Sequence, residues 1–537
     1  MRNLTFYNSV TAIYQLWDWG WTYKGVSINN CSIGLDMSNL AADGVSQAVG
    51  SVTFIDSTIK DTPIGIKTIR NATSLPASGG SLILENVSLN NVATAVQGYA
   101  GPLILGTSGT ATINYGQGHA YTPNGPTDIS GTITPNTRPA SLTAGSDFYE
   151  RSKPQYENIP AAQFVSVRDQ GAAGDGVTDD SNVINSVLAA AAISGKIVFF
   201  DAGDYLVTKT ISVPAGVKIV GEAYPVILSS GEFFSDITTP RPVVQIGLRG
   251  DTGSIEWSDM IVSTQGSSTG QAGAILIEYN LASTDTPSGI WDVHTRIGGF
   301  QGSNLLYGDC PKTPDTVITP ANLPTQCIAA FMSMHITTLA TGLYMENNWL
   351  WVADHDVEDQ NLRQITVYAG RGLLIESVVG GIWLYGTAVE HHSLYQYHLS
   401  GTSNIYLGQI QTETAYYQPN PDTSDPFPAD PNYNDPTWPT SGQSGWGLLI
   451  DDSYDVLIYG AGLYSFFDNY DVHCSDQGNG ETCQTGIFSI DAVSAVSVYN
   501  LNTVGTNDMI TRGGTNIAFY ADNNNGFIGT IALFRNN

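Results

Sequence analysis

Basic residues are scarce: the 537-residue chain carries 20 Lys and Arg against 49 Asp and Glu, a formal net charge of −29. Nucleic acid is thereby excluded as a partner, because holding phosphates takes clustered cations. A polyanion such as pectate is disfavoured for the same reason, which leaves neutral polymers as the better match. Long apolar runs are also missing. No stretch of 18 apolar residues occurs, so no membrane span is expected. The start, Met1-Arg2-Asn3, leads straight into strand-like sequence and lacks the apolar core of a secretory leader. Charged residues make up only 13%, and strings of Lys- and Glu-type helix formers are absent, which points away from helices.

Cysteine is sparse but arranged. Of five, Cys310 and Cys327 bracket a Pro/Thr-rich loop, and Cys474 and Cys483 a Gly/Asp-rich one. Both pairs are expected to be disulfides, leaving Cys31 over. Glycosylation sequons begin at Asn3, Asn30, Asn71 and Asn86. Together these features predict a secreted, extracellular protein whose leader is missing along with a longer N-terminus.

What the chain does have is glycine (57), tyrosine (27) and a repeat. Ile382-Trp383-Leu384 through Glu390 superposes without a gap on Ile405-Tyr406-Leu407 through Glu413, 23 residues on. That period in a Gly-rich, strand-like background is one coil of a solenoid. Neighbouring strands lie about 4.8 Å apart, so the two glutamates are expected side by side on one face. Like charges that close are costly unless one binds a proton, and such a mixed pair is what glycoside hydrolysis uses. Val456 through Tyr464 repeats the pattern 51 residues after Ile405, so residues 418–445 are an insert and Tyr464 stacks on Glu413. The insert is expected to wall the cleft.

Three regions follow. Residues 1–115 carry short strands between Asn/Gly/Ser turns, with Ile28-Asn-Asn-Cys31, Phe54-Ile-Asp56 and Leu84-Glu-Asn-Val-Ser88 recurring coil by coil. Residues 116–163 shift to Gly, Pro, Thr and Ser, a linker or strap. Residues 164–537 open with Phe164-Val-Ser-Val167, then Gly171-Ala-Ala-Gly-Asp-Gly-Val-Thr-Asp-Asp180 and an Ala-rich helix from Ser181, with Asp179 or Asp180 as N-cap and Gly195 as the stop. Such a helix plugs the open end of a stack of coils.

That Gly-Asp-Gly-x-Thr-Asp-Asp segment resembles the opening of pectate-lyase-like right-handed β-helices, a group that includes polygalacturonases, phage tailspikes and glycoside hydrolase family 55. With Trp17-Asp-Trp-Gly-Trp21, Trp349-Leu-Trp-Val-Ala-Asp-His355 and the Glu390/Glu413 segments, nearly the whole chain resembles fungal exo-β-1,3-glucanases of family 55. The resemblance implies an all-β fold of two tandem parallel β-helices with a cleft between them, the first incomplete because only the second shows the opening motif. It implies inverting release of glucose or short units from β-1,3-glucan ends, with no metal or other cofactor and Glu413 as general acid. A monomer is expected. A β-helix glycosidase on another neutral glycan, or a truncated inactive glycan-binding paralogue, is the alternative. Polygalacturonase elements (Asn-Thr-Asp, Gly-Asp-Asp, His-Gly) do not occur in order.

Glu390 is the expected partner of Glu413, raising its proton affinity or activating water. Trp383, Tyr385, Tyr416, Trp446 and Trp19 are candidate sugar platforms, since aromatic rings pack on the apolar faces of sugars. Gln411 and Asp18 are candidate hydroxyl partners. His391 and His392, adjacent on a predicted strand, are expected on opposite faces with no third ligand, so no metal is expected.

Overall fold

The computed structural model describes residues 1–536 apart from 43, 45, 71–78, 439–441 and 477–479. The sequon at Asn71 lies outside the described residues. Short strands form parallel ladders in which each coil pairs with the next. In the first unit Trp21–Lys24 pairs with Val52 to Ile55, and these with Leu82 to Glu85. Thr11–Tyr14, Ile33–Asp36 and Ile64–Lys67 build a second face. The corner after the first ladder needs a left-handed residue, and Gly25, Asp56 and Asn86 supply it at φ 63°, 50° and 56°. Gly, Asn and Asp bear that conformation at least cost, which explains why they recur coil by coil.

The strand Gly101–Thr122 crosses back antiparallel over Ser81–Gly98 and returns as Gly125–Thr132. The linker expected from residue 116 is therefore strand as far as Thr132, and the extended strap begins after it.

The second unit opens with the helix Ser181–Ser194. Asp180 is its N-cap residue, but the Asp180 carboxylate accepts the N–H groups of Ala173 and Gly174 at 2.7 and 2.9 Å, pinning the preceding loop. Asp179 takes the Ser181 amide instead, at 3.0 Å. Gly195 ends the helix in the left-handed region, as its position predicts. Three ladders then run along the unit, one of them through Tyr368–Ile375, Tyr395–Ser400 and Trp446–Asp451. Ile382 pairs with Ile405, Trp383 with Tyr406, and Glu390 with Glu413, so the 23-residue echo is one coil. Both expected disulfides form, and Cys31 is free and buried.

Ser403–Glu413 is one strand that bends at Gln409, a left-handed corner with φ 54°. The bend gives its two halves different outlooks. Before it, Trp291, Tyr344, Trp383, Tyr385, Tyr406 and Tyr459 face the strap and the first unit, packing with Leu142, Phe148, Ile55 and Ile83. Polar pins run through this seam. Buried Glu85 of the first unit accepts the Tyr459 and Tyr499 hydroxyls at 2.8 and 2.7 Å and the Arg138 guanidinium at 2.6 Å. After the bend, the strand faces outward.

The insert is expected to wall the cleft, but its described residues pack on another face. Phe427 is buried against Gly370, Tyr433 packs on Phe331 at 4.9 Å between ring centres, and Asp435 pairs with buried Arg371. It lies over the ladder through Tyr368–Ile375 because that face offers an apolar surface and an unneutralised guanidinium.

Candidate active site

Alternation along the outward half-strands sorts the side chains into two columns. One holds Trp351, Glu390, Glu413, Tyr464 and Val504 in register, and the other Trp349, Ala388, Gln411, Gly462 and Asn502. Leu350, Val389, Thr412 and Leu463 point into the core between them.

The paired glutamates are not equivalent. Glu390 is buried, whereas 27% of the Glu413 side chain is exposed. Burial first, and then the charge of Glu413, push Glu390 up to about 7. Hydrogen bonds from Trp349 and Gln411 offset part of that shift. Gln411 Nε2 also donates to Glu413 Oε1 at 3.3 Å. Ligand atoms of Glu390, His391 and Glu413 lie within 4.8 Å of one another. This spacing is shorter than the roughly 6.5 to 9.5 Å that separates the acid and base of an inverting pair, so Glu390 is not placed as the base that activates the attacking water.

His391 is the residue that strand alternation misplaces. The strand Ala388–Glu390 ends just before it, and His391 takes φ 70°, which turns its ring to the side of Glu413. Its Nδ1 donates to the Val352 carbonyl at 2.8 Å, and Nε2 meets Glu413 Oε2 at 3.3 Å. Burial opposes its charge, but Glu413 more than compensates, so His391 is pushed up to about 9. Among the described residues these three are the one set of His, Cys, Asp and Glu side chains close enough to share a cation. A protonated imidazole donates to Glu413 and offers no lone pair to a metal. His392 turns inward to Ser333 at 2.7 Å.

Aromatic rings flank Glu413 on both sides. Trp349 and Trp351, two residues apart on one face, stack at 4.7 Å beside Glu390, and Trp349 is 40% exposed. On the other side Tyr464 meets Trp19 of the first unit at 4.8 Å and Phe466 at 5.6 Å. The Trp19–Tyr464 contact bridges the two units beside Glu413. Gly462 makes this possible: a Cβ on it would stand 2.3 Å from the Tyr464 hydroxyl.

Of the residues picked out in the sequence, Glu413, Glu390, Gln411 and Trp19 come together. Trp383 and Tyr385 lie in the seam: the Trp383 indole donates to the Leu142 carbonyl at 3.0 Å, and Tyr385, whose hydroxyl donates to the Tyr149 carbonyl at 2.7 Å, lines a cavity with Trp21, Thr22 and Gln409 that does not include Glu413. Tyr416 is fully buried behind His391, its hydroxyl donating to the Ala353 carbonyl at 3.1 Å. Asp18 is buried too, its carboxylate accepting the Gly50 and Ser51 amides, so it anchors the turn that carries Trp19. Trp446 lies in a separate cavity. Trp349 was missed although Trp-Leu-Trp spacing signals two indoles on one face.

A pectate-lyase-like family, rhamnogalacturonase A/epimerase, matches residues 1–36 and 164–361. A glucan 1,3-β-glucosidase of Cochliobolus carbonum is 43% identical over 97% of this chain. A probable glucan endo-1,3-β-glucosidase of Arthroderma benhamiae is 39% identical over 99% of this chain and 70% of its own length. The chain belongs to glycoside hydrolase family 55. It spans 65% of the length of the Cochliobolus relative. A solved structure of sacteLam55A from Streptomyces sp. SirexAA-E is 13% identical, covering 96% of this chain and 77% of that one, with a TM-score of 0.44. No helix among the described residues of this family 55 chain is long and apolar enough to cross a membrane.

Proposed function

We propose that the protein hydrolyses β-1,3-glucan, removing glucose or short units from chain ends with inversion, and that Glu413 is the general acid. The observation that carries this reading is the unequal pair: only Glu413 reaches the cleft, while buried Glu390 pushed up to about 7 keeps a proton available beside it. Glu413 protonates the leaving glycosidic oxygen. The pair then regains its proton from solvent through the exposed Glu413 carboxyl. Glu390 stands nearer to Glu413 than the roughly 6.5 to 9.5 Å of an inverting acid–base pair, so the water that attacks the opposite face of the sugar gives its proton to a base other than Glu390 or to solvent.

Attack at chain ends is supported by the Trp19–Tyr464 contact, which bridges the two units on one side of Glu413. The glucan extends the other way, over Trp351 and Trp349. The surplus of acidic over basic residues suits a neutral glucan, and two disulfides suit an oxidising, extracellular compartment. The test is glucose release from laminarin with proton NMR of the first-formed anomer. An α product supports the reading; a β product, or no release, overturns inversion or the activity itself.

A further inference from the structure

Trp446 stands in a cavity of about 450 Å³ that shares no residue with the Glu413 cluster. Its walls come from the segments that follow Glu413 and Tyr464 and from the strand Thr506–Arg512 of the last coil. The volume falls within the range of small-ligand sites.

The lining is built rather than incidental. Trp438 and Trp446 present half-buried indoles, and the Trp446 amide is tied to the Leu394 carbonyl at 3.0 Å. Buried Gln484 is held by the Gly445 and Gly486 carbonyls, to which its Nε2 donates at 3.3 and 2.7 Å. Asp508 accepts from Asn516 Nδ2 at 2.7 Å, and Thr511 donates to Asn516 Oδ1 at 3.0 Å, so carboxylate, amide and hydroxyl form one chain along the wall. The Cys474–Cys483 disulfide ties the rim. Among the described residues no Lys or Arg lines the cavity.

Two indole faces beside a wall of acceptors and amides match one ligand chemistry. The indoles cover the C–H faces of a sugar ring, and the polar wall takes its hydroxyls. Anions are refused by Asp468 and Asp508, with no cation to offset them.

We propose that this cavity is a second saccharide site, which holds a neutral glucan on side chains other than those of the Glu413 cluster. The choice of a β-1,3-linked probe rests on the proposed function; the site itself does not. In the Glu413→Gln variant, calorimetric titration with laminaritriose is expected to show two binding events. Adding Trp446→Ala weakens one of them at least tenfold. Adding Asn516→Ala, at an exposed position, weakens the same event several-fold with no change in melting temperature, which guards against a folding defect in the tryptophan variant. In the otherwise native protein, Asn516→Ala leaves hydrolysis of laminaritriose within twofold while lowering retention on insoluble β-1,3-glucan. A single binding event untouched by either substitution overturns the site. So does a loss of trisaccharide hydrolysis that parallels the loss of binding, because the cavity would then belong to the Glu413 cleft. If native protein releases no sugar but Trp446-dependent binding persists, the proposed activity fails and the site stands.

Discussion

Glu390 sits directly beneath Glu413 in a parallel ladder, yet one carboxyl is buried and the other opens to the cleft. Trp349 and Trp351 cover Glu390 from the coil below, while Glu413, with Tyr464 above it and the side-chain-free Gly462 above Gln411, keeps 27% of its side chain exposed. One stacking rule thus yields a proton store and a proton donor.

Glu413→Gln is expected to lower laminarin hydrolysis by at least about 10³-fold, in the middle of the range for losing a general acid. The amide is nearly isosteric and the site is open, so the melting temperature is expected to stay within a few degrees. Reducing-sugar assay and thermal unfolding together check this.

The pH profile has a defined sign. Glu390 is raised to about 7 and His391 to about 9, so both bind protons more tightly in the folded state. Activity is expected to fall as pH rises through about 7, where Glu390 loses the proton it keeps beside Glu413. Stability falls in the same direction: the folded-state advantage is complete at low pH and is lost through about 7 for Glu390 and about 9 for His391. Glu390→Gln removes the group raised to about 7, so the alkaline limb of kcat/KM at that pH is expected to be displaced or lost.

Trp19→Ala removes the contact that bridges the two units beside Glu413. The product mixture is expected to shift from glucose toward longer oligosaccharides, read by chromatography of laminarin digests. Trp349→Ala acts on the other side and is expected to raise KM about tenfold with little change in kcat, as loss of a stacked sugar contact does.

Gly462→Ala is predicted to displace the Tyr464 ring, since the new methyl would stand 2.3 Å from its hydroxyl oxygen. Such overpacking costs about 1–3 kcal/mol. Denaturant unfolding measures that cost, and kcat drops with it because Tyr464 borders Glu413.

Asp435→Ala strands the Arg371 guanidinium in the interior, at a cost of about 3–5 kcal/mol. Activity per folded molecule is expected to be unchanged at low temperature, because the insert lies over a different face. A changed product pattern in this variant would return the insert to the cleft wall.

The coil, its period and the capping helix were legible in the chain, because each depends on spacing within one or two coils; which of the two stacked carboxylates is buried was not, because Trp349 and Trp351 of another coil decide it. The disulfides were legible from loop composition. Which outward aromatics meet sugar was not. Trp383 and Glu390 lie seven residues apart on one coil, but a left-handed corner between them aims the first into the seam and the second at the cleft. His391 escaped because alternation holds only inside a strand, and it stands one residue past the end. Sequence alone determined the coil and its repeating register, since parallel pairing enforces itself locally. Tertiary structure decided which face of each coil remained open, because that depends on where a strap and a second unit, distant in sequence, come to rest.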